Sequence, residues 1–117
     1  MATRTNANDH FSEYIGTENY YKHFGNVKLT DGTKALADKL GAYWLMDIVA
    51  SYQMGLRSQP FQVWKLEKNK TGNGAKVTCE DGNKNVLRSQ RLTFTDFEYD
   101  ECTLWFQDGV CMLPSEW

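Results

Sequence analysis

The spacing of apolar residues changes period once along this chain. Up to about residue 60 they recur at helical intervals, and from Phe61 onward they alternate. In the first part, Asp9 is a candidate cap for a short helical turn in which Phe11, Tyr14 and Ile15 share a face. Tyr20, Tyr21 and Phe24 follow and stop at Gly25, and Asn26 to Thr30 reads as a short extended segment. Asp31 is a candidate N-cap for a helix in which Leu36 and Leu40 share a face, and Gly41 stands where a C-cap glycine belongs. A second helix is expected from Ala42 to about Leu56. Its apolar stripe is Trp44, Leu45, Ile48, Val49 and Tyr52, with Asp47 inside or beside it, and Gln59-Pro60 ends it. Residues 1 to 8, ahead of these elements, read as a polar, frayed end.

The alternating part divides into strands at turn residues. Phe61 to Leu66 reads as a strand, Thr71-Gly72-Asn73-Gly74 as a turn, and Ala75, Val77 and Cys79 as one face of the next strand. Asp81-Gly82 favours a tight hairpin turn. A longer strand follows from Val86 to Phe94, with Val86, Leu92 and Phe94 on one side. Cys102 to Phe106 and Val110 to Leu113 form a last hairpin across Gln107-Asp108-Gly109, and a two-residue Asp108-Gly109 loop would set Phe106 opposite Cys111. The expected fold is α+β: N-terminal helices packed on a C-terminal antiparallel meander of four to five strands, in one domain over residues 1–117.

Composition narrows the class. The 117 residues are 41% hydrophobic, enough for one core, and hold six Phe, six Tyr and four Trp. That aromatic surplus points to a thick core, an exposed binding face, or a homodimer interface. No apolar run approaches the roughly 18 residues of a membrane helix, and the N-terminus leads into polar residues, so the expected location is the cytoplasm. The three cysteines, Cys79, Cys102 and Cys111, show no metal-ligand spacing and only His10 and His23 could join them. They are expected to be small buried hydrophobes, with no disulfide, metal or cofactor.

Catalytic signatures are missing. Cysteine and histidine stand far apart in sequence, and Gly72-Asn73-Gly74 joins two strands where a phosphate loop would lead into a helix. Asp47 is the one acid set in an apolar helix; burial there would raise its pKa and fit it for acid–base work, or else it bonds a backbone or hydroxyl partner. No enzymatic activity is expected.

Charge is distributed unevenly although the net value is only −2. Residues 61 to 91 carry seven basic side chains against three acidic ones, and residues 92 to 117 carry six acids and no Lys or Arg. Two readings follow. The stretch Asp96, Phe97, Glu98, Tyr99, Asp100 and Glu101 can dock on a basic groove, carboxylates meeting cations and the two rings serving as anchors. Alternatively Lys65, Lys68, Lys76, Arg88 and Arg91, with Trp64, can form a platform for single-stranded nucleic acid.

Five blocks carry a resemblance: Gly41-Ala42-Tyr43-Trp44-Leu45-Met46-Asp47, Phe61-Gln62-Val63-Trp64-Lys65-Leu66, Cys79-Glu80-Asp81-Gly82-Asn83, Thr95-Asp96-Phe97 and Leu113-Pro114-Ser115-Glu116-Trp117. In this order they make residues 12 to 117 similar to a family of small uncharacterised phage, plasmid and bacterial proteins, known only as a domain of unknown function. The resemblance supplies no catalytic residues; it implies a small cytosolic protein of mobile elements. In that context the expected function is binding and inhibition of a bacterial immune effector, as an anti-CRISPR protein does, through residues 96 to 101. The expected partner is a CRISPR-Cas or other defence effector of the bacterial host. The alternative is a nucleic-acid-binding accessory protein that uses the basic strands.

Overall fold

Alternation from Phe61 onward produces five strands, and two short ones from the N-terminal part complete the sheet. The computed structural model describes residues 4–117. In chain order the elements are α1 (Ala7–His10), β1 (Tyr20–Lys22), β2 (Lys28–Thr30), α2 (Asp31–Leu40), α3 (Tyr43–Ser51), β3 (Phe61–Lys68), β4 (Ala75–Glu80), β5 (Val86–Leu92), β6 (Glu101–Gln107) and β7 (Val110–Met112). Among the described residues the sheet has seven strands in the order β1-β2-β7-β6-β3-β4-β5, with β2 parallel to β7 and all other neighbours antiparallel. The fold is α+β as the sequence implies. The expected four- to five-stranded meander is replaced by a larger mixed sheet, in which β6 returns beside β3 instead of beside β5.

The β5–β6 connection accounts for that return. Phe97 in the connection is buried to 1% exposure and meets the Trp44 ring of α3 edge-on at 6.2 Å, which draws the segment back beneath the helices. The Lys68 ammonium donates to the Phe97 carbonyl at 2.8 Å and the Lys68 N–H to the Asp100 carbonyl at 2.8 Å, holding the segment at the end of β3. From there β6 can only run antiparallel to β3.

One face of the sheet is covered by α2 and α3 and forms the core. Trp64, Leu66, Val77, Cys79, Cys102, Leu104, Phe106 and Cys111 point into it and meet Leu36, Leu45, Met46 and Val49. Gln62 is fully buried there, yet its amide is satisfied: it exchanges two hydrogen bonds with the Gln53 amide at 2.8 and 2.9 Å, accepts from the Trp64 indole at 2.9 Å and donates to the Gln59 carbonyl at 3.0 Å. This network ties the 3₁₀ turn Gln53–Leu56 to β3. The helix expected to reach Leu56 therefore stops at Ser51, and the chain tightens so that Gln53 can reach Gln62.

The helix caps shift by one position or more. Thr30, rather than Asp31, caps α2: its hydroxyl accepts from the Thr33 N–H at 3.3 Å while the Thr33 hydroxyl accepts from the Thr30 N–H at 2.8 Å. Asn6, rather than Asp9, caps α1, a single turn that leaves Ile15 80% exposed. Gly41 closes α2 in the left-handed conformation, at φ 59°. In the last hairpin Asp108 and Gly109 both take positive φ, and Phe106 does face Cys111. The Asp81-Gly82 turn is longer than a tight hairpin, running to Asn85, whose N–H and side-chain amide both reach the Asp81 carboxylate. A bulge opposite Cys79 and Glu80 then reverses the facing of β5, so Val86 points away from the helices while Leu92, opposite Ala75, points toward them.

The expected frayed end is ordered over the part that is described; Met1 to Thr3 lie outside the described residues. β7 pairs only with Trp105 to Gln107, leaving the first part of β6 without a neighbour on that side. Residues 4 to 8 fill the gap: the Thr5 carbonyl accepts from the Glu101 N–H at 3.0 Å, the Asn8 side chain accepts from the Thr103 N–H at 2.6 Å, and Ala7 is fully buried.

The C-terminus closes the fold on the start of α2. The 3₁₀ turn Pro114–Glu116 brings the Glu116 carboxylate to the N-terminal end of α2. There it accepts from the Gly32 N–H at 3.0 Å, the Leu113 N–H at 3.0 Å and the Thr30 hydroxyl at 2.5 Å. A Cβ on Gly32 would lie 2.6 Å from Glu116 Oε1, so only glycine admits the carboxylate. Gly32→Ala and Glu116→Ala are each expected to lower stability by about 1–3 kcal/mol. The double variant should lose less than the sum, by about 0.5 kcal/mol or more, in urea-unfolding midpoints. Full additivity would mean that the two residues do not act together.

Candidate functional site

Residues 96 to 101 form a connection stapled to the fold. Phe97 is a core residue, since a ring at 1% exposure cannot anchor a partner while the loop stays folded. Tyr99 is half-buried, its ring 5.7 Å from His10 and 6.5 Å from Phe97. Glu101 pairs with Arg4 at 3.0 Å. Asp100 accepts from the Thr5 N–H at 2.9 Å, and this bond, helped by the Thr5 hydroxyl and the charges of Arg4 and Lys68, holds its carboxyl below the usual carboxylate range. Of the four carboxylates, Asp96 and Glu98 are exposed. Sequence spacing alone could not separate an acid that meets solvent from one that meets the chain's own N-terminal segment.

Of the five basic residues, Lys65, Lys76 and Arg91 share the side of the sheet away from the helices, and Lys68 and Arg88 do not join them. Lys68 is turned under the β5–β6 connection, and Arg88 lies on the helix side, donating to the Gly55 carbonyl at 3.2 Å. Lys65 lies 3.5 Å from Glu80. Lys76 and Arg91 are neighbours on β4 and β5, on the side away from the helices. Trp64, the expected stacking ring, is buried and bonded to Gln62. Asp47 is likewise outside the apolar interior: its side chain is 52% exposed and sits 2.7 Å from the His23 ring nitrogen Nε2. The cysteines are buried and form no disulfide among the described residues, and burial pushes the thiols of Cys79 and Cys102 up to about 12 and that of Cys111 higher still. Among the described residues no group of three or more His, Cys, Asp or Glu is placed to hold a metal ion. Among the described residues no helix is long and apolar enough to cross a membrane.

The face of the sheet opposite the helices is where chemistry-bearing side chains do meet. Phe61 on β3 and Trp105 on β6 contact edge-to-face at 5.5 Å, and Trp117 packs on Trp105 at 6.3 Å. These three rings form a ladder across the sheet, flanked by Val63 and by Met112, which faces Trp105 from β7. Trp117 is 70% exposed although the Glu116 turn fixes its place. A groove of about 320 Å³ runs beside it, walled by Trp117 and the exposed Tyr20 and floored by Val110 and Met112. Phe61 itself rests on the Asp81–Asn85 turn, where a Cβ on Gly82 would lie 3.0 Å from its ring. Alternation in the sequence placed Phe61 and Trp105 in strands. What it could not show is that the helices cover only one face, or that the C-terminal residue returns to extend the other.

Two outcomes test this arrangement. Phe97→Ala is expected to cost about 3–5 kcal/mol of stability, as for a buried ring, and a loss near zero would return Phe97 to the surface. Because the folded pKa of Asp100 is depressed, its contribution is present above the unfolded value of about 3.9 and is lost as pH falls through the folded value. Asp100→Asn should therefore lower the urea midpoint at pH 7 and reduce its drop between pH 7 and pH 3; an unchanged acid drop would contradict the Thr5 contact.

No curated protein and no solved structure matches the chain. One family model does, described as "Family of unknown function (DUF6876)", over residues 5–117. This is nearly the whole length from Thr5 to Trp117, both sheet faces and the C-terminal turn included, and the chain belongs to that family.

Proposed function

We propose that this chain is a binding protein, not an enzyme, and that it acts by covering a surface of a partner protein with the helix-free face of its sheet. The observation that carries this is the ladder Phe61–Trp105–Trp117, with an exposed tryptophan held in place by a turn that the fold itself fixes. Large rings at the centre of a patch supply most of the contact energy in protein interfaces, and preordered rings lose little freedom on binding. The partner suggested by the likeness to phage and plasmid proteins is an effector of bacterial immunity in the host cytoplasm. Inhibition of such an effector by occlusion, an anti-CRISPR-like action, requires of this chain only a rigid contact surface. Asp96 and Glu98 can add charge contacts at the end of the sheet.

The test is affinity capture from host lysate with three tagged proteins: the unaltered chain, Trp117→Ala, and the double variant Asp96→Lys/Glu98→Lys. The expected result is one protein enriched by the unaltered chain, reduced about tenfold or more by Trp117→Ala and at most a few-fold by the charge variant. Loss with the charge variant alone would overturn the ladder in favour of the loop. Enrichment of nothing above an unrelated control would overturn the binding function.

A further inference from the structure

One row of side chains on the helix-free face is arranged against its own stability. Across β6, β3, β4 and β5 the register places Glu101, Glu67, Lys76 and Arg91 side by side. Each end of this row sets like charges directly opposite one another on neighbouring strands, two acids and then two bases, which is unfavourable in an isolated sheet. Arg4 relieves Glu101, at 3.0 Å. Glu67, Lys76 and Arg91 are exposed and form no ion pair among the described residues. Acid, acid, base, base is also a sequence that becomes its own complement when turned about its midpoint.

We propose that two copies of this chain pair face to face through β6, β3, β4 and β5, about a two-fold axis that runs along the sheet between β3 and β4. Rotation about that axis keeps each row in place and reverses it. Glu67 then meets Lys76 of the second copy, and Glu101 meets its Arg91. The next row, Thr103, Lys65, Thr78 and Ser89, sets Lys65 against Thr78 and Thr103 against Ser89, with no like charges opposed. The row after it, Trp105, Val63, Glu80 and Val86, lays the indole over Val86, which is 60% exposed in the single chain. Glu80 retains Lys65 of its own chain at 3.5 Å.

The competing axis, between β6 and β3, would put Glu101 on Glu67 of the other copy, and the charges reject it. Sheets that pack face to face lie about 10 Å apart with strands turned by about 30°, distances that paired Glu and Lys side chains span. The second copy covers Trp105 and leaves Trp117, Met112 and Tyr20 open, so the pairing competes with the partner contact proposed above for the middle ring of the ladder. The oligomeric state reads the pairing and affinity capture reads the contact, so the failure of one is told apart from the failure of the other.

Sedimentation equilibrium on the full chain tests the pairing, with Glu67→Lys and Lys76→Glu run singly and mixed one to one. The unaltered chain is expected to be dimeric at about 200 µM and low salt, and to dissociate as salt rises. Each variant alone sets like charges on the axis and should weaken the dimer by about tenfold or more. In the mixture every axial pair is again opposite in sign, so a heterodimer should re-form. Re-formation also establishes that both variants are folded. A monomeric unaltered chain, variants that still dimerise, or a mixture that stays monomeric would overturn the proposal.

Discussion

The carboxylate of Glu116 at the start of α2 is the contact on which the arrangement of this molecule depends. It joins the last turn of the chain to the first long helix, through Gly32, Thr30 and Leu113. Thr30 ends β2 as well as capping α2, and both Thr30 and Thr33 direct hydroxyls toward the Cys111 carbonyl of β7, at 3.5 and 2.9 Å. One cluster thus fixes the parallel pairing of β2 with β7, the direction in which α2 leaves the sheet, and the position of Trp117. A negative charge is favoured there because the first N–H groups of a helix have no internal partners and point outward.

With the helices so placed, the two faces of the sheet differ in kind. The covered face is satisfied internally, down to the amide of Gln62, and it absorbs Trp64, Phe97 and all three cysteines. The other face keeps a ring ladder and a row of charges in which like signs stand side by side. Neither contributes to the core, and both have chemistry that a second surface can complete. The acidic stretch that dominates the C-terminal sequence is mostly spent inside the molecule: Asp100 and Glu101 organise residues 4 and 5, and Phe97 ties the connection to α3. Exposed carboxylates therefore play a smaller part in the proposed contact than their number in the sequence implies.

Much of the fold was legible in the sequence because its signals are local. Period-2 alternation located β3, β4 and β6, Gly41 marked the end of α2, and Asp108-Gly109 fixed the register of Phe106 against Cys111. What escaped were the long-range pairings. β1 has three residues, too few to display alternation, and pairs with β2; β2 lies within the extended segment expected over Asn26 to Thr30, but its parallel pairing with β7 is long-range. The order of β6 beside β3 depends on where Phe97 is buried, which no spacing rule encodes. At the candidate site the ring identities could be read directly. Their assembly into one ladder could not, because it requires Trp117 to return to Trp105 by way of a salt-free carboxylate contact with Gly32. The charge row was hidden for the same reason: its four members come from four strands.

The central claim is that the Glu116 turn holds Trp117 as part of an ordered ladder on the uncovered face. Nuclear Overhauser contacts between the aromatic rings measure this directly. In the unaltered chain, contacts are predicted between Phe61 and Trp105 and between Trp105 and Trp117. In Glu116→Ala the first should persist while the second disappears, with the amide pattern of β3 to β6 unchanged. A Trp105–Trp117 contact that is missing from the unaltered chain, or that survives loss of the carboxylate, would contradict the account.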